Sequence, residues 1–225
     1  MEFRSSVEGL QRFHLSAGVL VVNKKPDVNA LGCSLVSPAD QEGFLLELAG
    51  CIEAAKQVNC RRLEILTGNV LPGIPRQAQM ESCVATLRAA EALLEVNGMM
   101  AVVEVLNTTV DHPGYFLDTV REGVELIDRV GSPCVKLLFD IYHVQIMEGN
   151  LIQRIRENIS RIGQFHFADV PGRHEPGTGE INFRNVFRAI YELGDRYQGY
   201  LTAEYDPSDY TFEDLKKVRE LATFE

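Results

Sequence analysis

Short apolar runs along the chain alternate with longer segments in which apolar residues return every three or four positions. The short runs are rich in β-branched residues and predict six strands. These strands are Gly18–Asn23, Arg62–Thr67, Met100–Asn107, Val135–Tyr142, Gly163–Val170 and Tyr200–Tyr205. The longer segments predict amphipathic helices over Pro38–Asn59, Pro75–Asn97, Tyr115–Val130, Asn150–Arg161 and Phe183–Leu193. Strict alternation of this kind is typical of βα units on a parallel sheet, so the pattern predicts an α/β fold.

Local signals for helix ends agree with this interpretation. Ser37-Pro38 offers a cap followed by a proline in the first turn, and Asn97-Gly98 is a helix stop. The sequence contains no low-complexity tract or linker, and the only repeat is the βα unit itself. We therefore predict one domain over residues 1–225.

Composition narrows the range of partners. The net charge of -10 leaves no basic stripe for a phosphate backbone, so neither nucleic acid nor an anionic membrane is an expected partner. The apolar run Leu15–Val22 is too short to span a bilayer, and Lys24-Lys25-Pro26 after it does not resemble a cleavage site. The five cysteines are odd in number and scattered, which indicates reduced thiols and a cytoplasmic protein.

Groups that are costly to bury alone stand near the ends of the last four predicted strands. They are Glu104 on the third strand, Asp140 and His143 at the end of the fourth, His166 on the fifth and Glu204 on the sixth. In parallel barrels, the reactive groups gather at the carboxyl ends of the strands. Taken as one ligand from each strand, Glu104, Asp140, His166 and Glu204 provide three carboxylates and one imidazole, an oxygen-rich set that suits Mg²⁺ or Mn²⁺ better than zinc. For each residue alone, a salt bridge or a hydrogen-bonded core histidine is the competing explanation.

The segment Asp169–Asn182 follows the strand of His166 and is dense in Gly, Pro and polar residues. Active-site loops have this composition, and Arg173 within it could bind a substrate carboxylate through two hydrogen bonds. The glycine spacing matches neither a P-loop nor a dinucleotide-binding turn. An ordinary long βα connection is the alternative.

Three segments, Glu104–Asn107, Phe139–Asn150 and Phe167–Asn182, closely resemble hydroxypyruvate isomerases, a family within the xylose isomerase-like TIM barrels. The resemblance extends from about Leu10 to Tyr205. It implies a (β/α)8-type barrel, and the family pattern has two further βα units before the first strand predicted here. We therefore expect an N-terminally truncated barrel of about six units. Three accounts stay open: a shortened isoform or incomplete gene model, a variant that closes by dimerisation or strand exchange, and a partial barrel with a rearranged sheet.

The resemblance implies an aldose–ketose type isomerisation of hydroxypyruvate to 2-hydroxy-3-oxopropanoate (tartronate semialdehyde) through an enediolate, with a divalent metal and no organic cofactor. By position, Glu104 and Glu204 become the acid/base pair, and Glu104, Asp140, His166 and Glu204 become the metal ligands. By likeness to sugar epimerases of the superfamily, His143 and Arg173 contact substrate oxygens.

Two other functions stay open at this stage. An isomerase of a related 2-oxo acid or small sugar would use the same groups with a different pocket. A catalytically impaired partial barrel that binds a metabolite or a protein partner is the alternative from another class. A metal-dependent nuclease of the same superfamily is disfavoured by the acidic charge.

Overall fold

A computed structural model describes residues 7–10, 12, 16–23, 33–209 and 212–224. Within them, six strands alternate with helices as predicted, and two further helices, Ile141–Met147 and Phe212–Leu221, were not predicted. The strands are β1 (Leu20–Val21), β2 (Arg62–Ile65), β3 (Met100–Glu104), β4 (Val135–Asp140), β5 (Ile162–Phe167) and β6 (Leu201–Ala203). The helices are α1 (Gln41–Gln57), α2 (Arg76–Val96), α3 (Val120–Val130), α4 (Ile141–Met147), α5 (Leu151–Asn158), α6 (Phe183–Tyr191) and α7 (Phe212–Leu221). Three short 3-10 helices cover Pro38–Asp40, Ile159–Arg161 and Gly194–Arg196.

The chain divides into two compact units. The first comprises the described residues among 1–104, 114–116 and 125–136, and the second comprises those among 105–113, 117–124 and 137–225. The prediction of one domain over the whole chain stays a prediction.

In the first unit, β2 is the middle strand and pairs in parallel with β1 and with β3. Helix α1 turns one apolar face inward, where Phe44, Leu48 and Ile52 are buried at a spacing of four residues. Full burial of such a side chain contributes about 1.5–3 kcal/mol. Periodic apolar positions therefore hold the helix on the sheet.

In the second unit, β5 pairs in parallel with β4 and with β6. The register sets Asp140 beside His166, and His166 beside Thr202. Helices α5 and α6 cover this sheet through a core that includes Phe165, Phe183 and Phe187. Because parallel strands covered by helices are buried, their sequences are near-continuous apolar runs.

Two predicted boundaries are wrong for the same reason. Strand β4 ends at Asp140 rather than Tyr142, because the Asp140 carboxylate accepts a hydrogen bond from the Tyr142 amide and caps helix α4. Helix α3 begins at Val120, not at Tyr115, because the buried Tyr115 hydroxyl accepts a hydrogen bond from the Thr67 amide. In each case a side-chain hydrogen bond to the backbone outweighs the apolar pattern.

The predicted stop at Asn97-Gly98 is confirmed. Gly98 has φ +61°, and the amides of Gly98 and Met99 donate to the carbonyls of Glu95 and Leu94 at the end of α2. Ser37 precedes the 3-10 helix Pro38–Asp40 without a side-chain cap bond, and α1 begins three residues later than predicted, at Gln41. All five cysteines are free thiols, as predicted.

Candidate metal and substrate site

Three of the predicted metal ligands lie together in the second unit. Asp140 is the last residue of β4, His166 lies one residue before the end of β5, and Glu204 directly follows β6. Their ligand atoms lie within 4.8 Å of one another. Asp140 and His166 are buried, whereas the side chain of Glu204 is 44% exposed. Parallel pairing with aligned register thus brings together residues that are far apart in the chain.

The fourth predicted ligand, Glu104, belongs to the first unit. It is the last residue of β3, and it is buried. The Tyr115 hydroxyl donates to the carbonyl oxygen of Glu104, which fixes the end of this strand. A buried carboxylate costs several kcal/mol, roughly, unless a cation or hydrogen-bond donors compensate its charge. Its membership of the ligand set stays a prediction.

Arg173 places a positive charge against the acidic ligands of the second unit. Its guanidinium Nη2 donates to Glu204 Oε2 at 2.8 Å and lies 4.0 Å from Asp140 Oδ2. His166 Nδ1 lies 3.3 Å from the same Glu204 oxygen. Burial would raise the pKa of Glu204, but the hydrogen bond and charge of His166 and the Arg173 guanidinium lower it to about 2. Glu204 is therefore ionised at neutral pH and can act as a metal ligand or a base.

His143, the other predicted substrate contact, is buried beside Asp140. Its Nε2 lies 3.6 Å from Asp140 Oδ2, and its ring packs edge-on against Tyr142 and His112. Burial lowers the pKa of His143 below its ordinary value, although the charge of Asp140 acts in the opposite direction. The imidazole is therefore neutral near pH 7.

The loop after β5 is organised by a residue for which the sequence predicted no role. The Asp169 carboxylate accepts hydrogen bonds from the backbone amides of Val170, Gly177, Gly179 and Ile181. A Cβ atom on Gly179 would lie 2.1 Å from the Val170 carbonyl oxygen, so only glycine fits there. The one available signal was an aspartate at the start of a Gly-rich segment, where such side chains commonly bond to nearby amides.

Asn107 is the second residue whose role the sequence did not reveal. It follows β3 by three residues, is fully buried, and contacts His143 through both its backbone and its side chain. Its side-chain oxygen also accepts the amides of Val110 and Asp111. An asparagine just after a strand is a common turn signal, and nothing in the sequence distinguishes this one.

A family described as Xylose isomerase-like TIM barrel matches residues 16–221. The chain belongs to this family. The predicted α/β barrel class is thereby confirmed, and the parallel pairing of the strands within each unit agrees with the family fold. No helix in the described part of the chain has the length and apolar character needed to cross a membrane.

Three proteins similar to this chain are isomerases by name. The hydroxypyruvate isomerase of Escherichia coli is 34% identical over 174 residues, which cover 77% of this chain and 66% of that protein. A human protein provisionally named hydroxypyruvate isomerase is 34% identical to this chain. The match covers 96% of this chain and 81% of the human protein. The 2-oxo-tetronate isomerase of Cupriavidus necator is 33% identical, and the match covers 76% of this chain and 64% of that protein. This barrel is accordingly an enzyme of the isomerase class.

A solved structure with the same fold carries a different title. The structure titled AP endonuclease, family 2, from Brucella melitensis superposes with a TM-score of 0.88 at 29% identity, covering 98% of this chain and 84% of that one. A 3-keto-D-glucoside 4-epimerase of E. coli superposes with a TM-score of 0.79 at 20% identity. The superposition covers 97% of this chain and 84% of that one, and it shows the fold alone.

Proposed function

We propose that this protein is a metal-dependent isomerase that interconverts hydroxypyruvate and 2-hydroxy-3-oxopropanoate. The observation that carries the proposal is the convergence of Asp140, His166 and Glu204 at the ends of neighbouring strands, with Arg173 against the two carboxylates. Two similar proteins, named hydroxypyruvate isomerase and 2-oxo-tetronate isomerase, support the isomerase class. Location in the cytoplasm, a lack of nucleic acid partners and association into homo-oligomers stay predictions.

The donor set fits a hard divalent cation. With Glu104, the ligand set offers three carboxylates and one imidazole, which favours Mg²⁺ or Mn²⁺ and needs no organic cofactor. A cation held there would polarise the carbonyl and hydroxyl oxygens of the substrate and stabilise the negative charge of an enediolate. Arg173 and the ionised Glu204 already form an ion pair, so the carboxylate is oriented before substrate binds.

In this scheme, two glutamates carry out the proton transfer between the two carbon atoms of the substrate. One of Glu104 and Glu204 removes a proton from the hydroxyl-bearing carbon, and the same or the opposite glutamate returns a proton to the neighbouring carbon. The hydroxyl proton moves to the former carbonyl oxygen, so product and substrate are isomers. Arg173 binds the substrate carboxylate and His143 contacts a substrate oxygen in this scheme.

The proposal is tested by ¹H NMR of the protein with hydroxypyruvate in D₂O, with Mg²⁺ and then with chelator. We expect Mg²⁺-dependent product formation with deuterium in the product. Glu104→Gln and Glu204→Gln should each lower kcat by at least about 10²-fold, because they remove an acid/base group. Glu157→Gln is the matched control, since Glu157 is an exposed residue of α5 whose carboxylate accepts a hydrogen bond from Gln153.

Parallel assays separate the other candidates. The 2-oxo-tetronate isomerase relative favours a second candidate, so the same NMR assay with 2-oxo-tetronate decides which acid has the higher kcat/KM. Cleavage of abasic DNA tests the activity named in the endonuclease title, which the net charge of -10 disfavours. A protein that binds Mg²⁺ but neither converts nor exchanges either acid would refute the isomerase and support the impaired, metabolite-binding barrel.

A further inference from the structure

The buried contact between Asn107 and His143 determines which nitrogen of the imidazole carries the proton. The Asn107 backbone nitrogen lies 3.3 Å from His143 Nδ1, and the side-chain Nδ2 lies 2.7 Å from the same atom. A backbone amide can only donate a hydrogen bond. Nδ1 must therefore be the acceptor, since a proton there would face the hydrogen of the backbone amide.

The side-chain amide of Asn107 has one sensible orientation. Its Oδ1 accepts from the backbone amides of Val110 at 2.9 Å and Asp111 at 3.0 Å. Its Nδ2 lies 2.6 Å from Asp111 Oδ2, a carboxylate oxygen that accepts. A flipped amide would set oxygen against oxygen and amide hydrogen against amide hydrogen. Two independent donors of Asn107 consequently point at Nδ1.

With Nδ1 accepting, the proton of the neutral ring is on Nε2. This atom is buried and has no hydrogen-bond partner within the described residues. The oxygen Asp140 Oδ2 lies 3.6 Å away, which is too long for a hydrogen bond. Edge-on packing against His112 and Tyr142 holds the ring in place. The Nε2–H group is thus an unused, oriented donor beside Asp140.

We propose that Asn107 is a positioning residue that keeps His143 in the Nε2–H tautomer, so that the ring donates a hydrogen bond to a substrate oxygen bound beside Asp140. This deepens the proposed isomerase and rests on it for the identity of the substrate. The opposite tautomer would present a lone pair to the same oxygen and repel it. A donor aimed at an oxygen that gains negative charge in the transition state lowers the barrier, which an acceptor there cannot do.

The chain allows a swap that reverses the polarity at Nδ1 and keeps the loop bonded. In Asn107→Asp/Asp111→Asn, the new carboxylate at position 107 can still accept the amides of positions 110 and 111. The new amide at position 111 restores the bond between the two side chains. The carboxylate then faces Nδ1 at the distance of the present 2.7 Å contact, where a charge-assisted bond outweighs the 3.3 Å backbone contact. Asp111→Asn alone is the matched reference, because it leaves Asn107 unchanged.

Long-range ¹H–¹⁵N correlation spectra of ¹⁵N-histidine protein report the tautomer directly. The chain has five histidines, and the signals lost in His143→Gln assign the ring of interest. We expect a protonated Nε2 in the natural protein and in Asp111→Asn, and a protonated Nδ1 in the double variant. Relative to Asp111→Asn, kcat of the double variant should fall by about 10²-fold. Mn²⁺ affinity should change less than about threefold, because no ligand is altered.

Two results would overturn the proposal. A double variant that keeps the natural protonation pattern would show that Asn107 does not set the tautomer. A reversed pattern with kcat within about threefold of Asp111→Asn would show that the donor is not used in the reaction. Failure of the natural protein to convert either acid would count against the isomerase, whereas the spectra of the substrate-free protein would still decide the role of Asn107.

Discussion

Replacing Asp169 with asparagine tests how far the loop after β5 depends on one carboxylate. Its Oδ2 accepts the amides of Gly177 at 2.8 Å and Gly179 at 2.9 Å, while Oδ1 accepts Val170 at 2.9 Å and Ile181 at 3.1 Å. Asparagine has one accepting oxygen. Its NH₂ group would face two amide hydrogens of the loop, so two of the four hydrogen bonds are lost.

The expected cost follows from these contacts. A hydrogen bond to a charged group contributes about 1.5–3 kcal/mol. Because Gly177 and Gly179 are exposed and their amides can turn to water, the lower end applies, and the loss is about 3 kcal/mol for the two bonds. For a chain of 225 residues, this corresponds to a Tm lower by about 6–12 °C.

Urea unfolding followed by circular dichroism measures the free energy of unfolding, and amide hydrogen exchange reports Gly177 and Gly179 separately. Exchange at both amides should become faster even if the global change is smaller. Asp195→Asn, at an exposed position of a 3-10 helix, is the control. A change below about 0.5 kcal/mol with undiminished protection of both glycines would refute the argument.

Three further predictions follow from the same unit of the structure. Because the pKa of Glu204 is lowered to about 2, its ionised form stabilises the folded protein fully above about pH 4.5, and this contribution is lost as the pH falls toward 2. Glu204→Gln should therefore flatten the acid limb of a plot of Tm against pH, and an unchanged acid limb would contradict the pKa shift. Mn²⁺ at about 100 times its Kd should stabilise the protein by about 2.7 kcal/mol, or about 5–11 °C in Tm. Asp140→Asn should reduce this gain, and a gain of full size in that variant would exclude Asp140 as a ligand. Gly179→Ala should destabilise the protein by about 1–3 kcal/mol, because its Cβ would meet a backbone carbonyl oxygen at 2.1 Å. Gly50→Ala in α1, where a Cβ meets nothing within 4 Å, should be neutral or stabilising, and equal effects at both sites would count against the steric cause.

Much of the architecture could be predicted because it depends on local patterns. Apolar residues at a spacing of three or four, such as Phe44, Leu48 and Ile52, predicted a helix face, and the structure buries that face. The stop at Asn97-Gly98 was predicted because glycine has a positive φ there without steric cost. Helix α4 was missed because the apolar run before and after Asp140 has no helical period, and a capping hydrogen bond ended the strand.

The candidate site was predictable only in its residue types. Asp140, His166 and Glu204 were predicted as ligands because parallel strands bring their carboxyl ends to one edge. Their separation, the ion pair of Glu204 with Arg173 and the 44% exposure of Glu204 required the strand register and the path of the loop. Those depend on residues far apart in the chain, so no local window of sequence contains them.

The sequence by itself determined the alternation of strands and helices, the acidic charge and the set of groups that could bind a cation, because each depends on residue type and short-range spacing. Only the tertiary structure decided which amides the Asp169 carboxylate binds and which nitrogen of His143 faces Asn107. The physical reason is that hydrogen bonds are directional and short, so their partners are chosen by the three-dimensional approach of backbone and side chains.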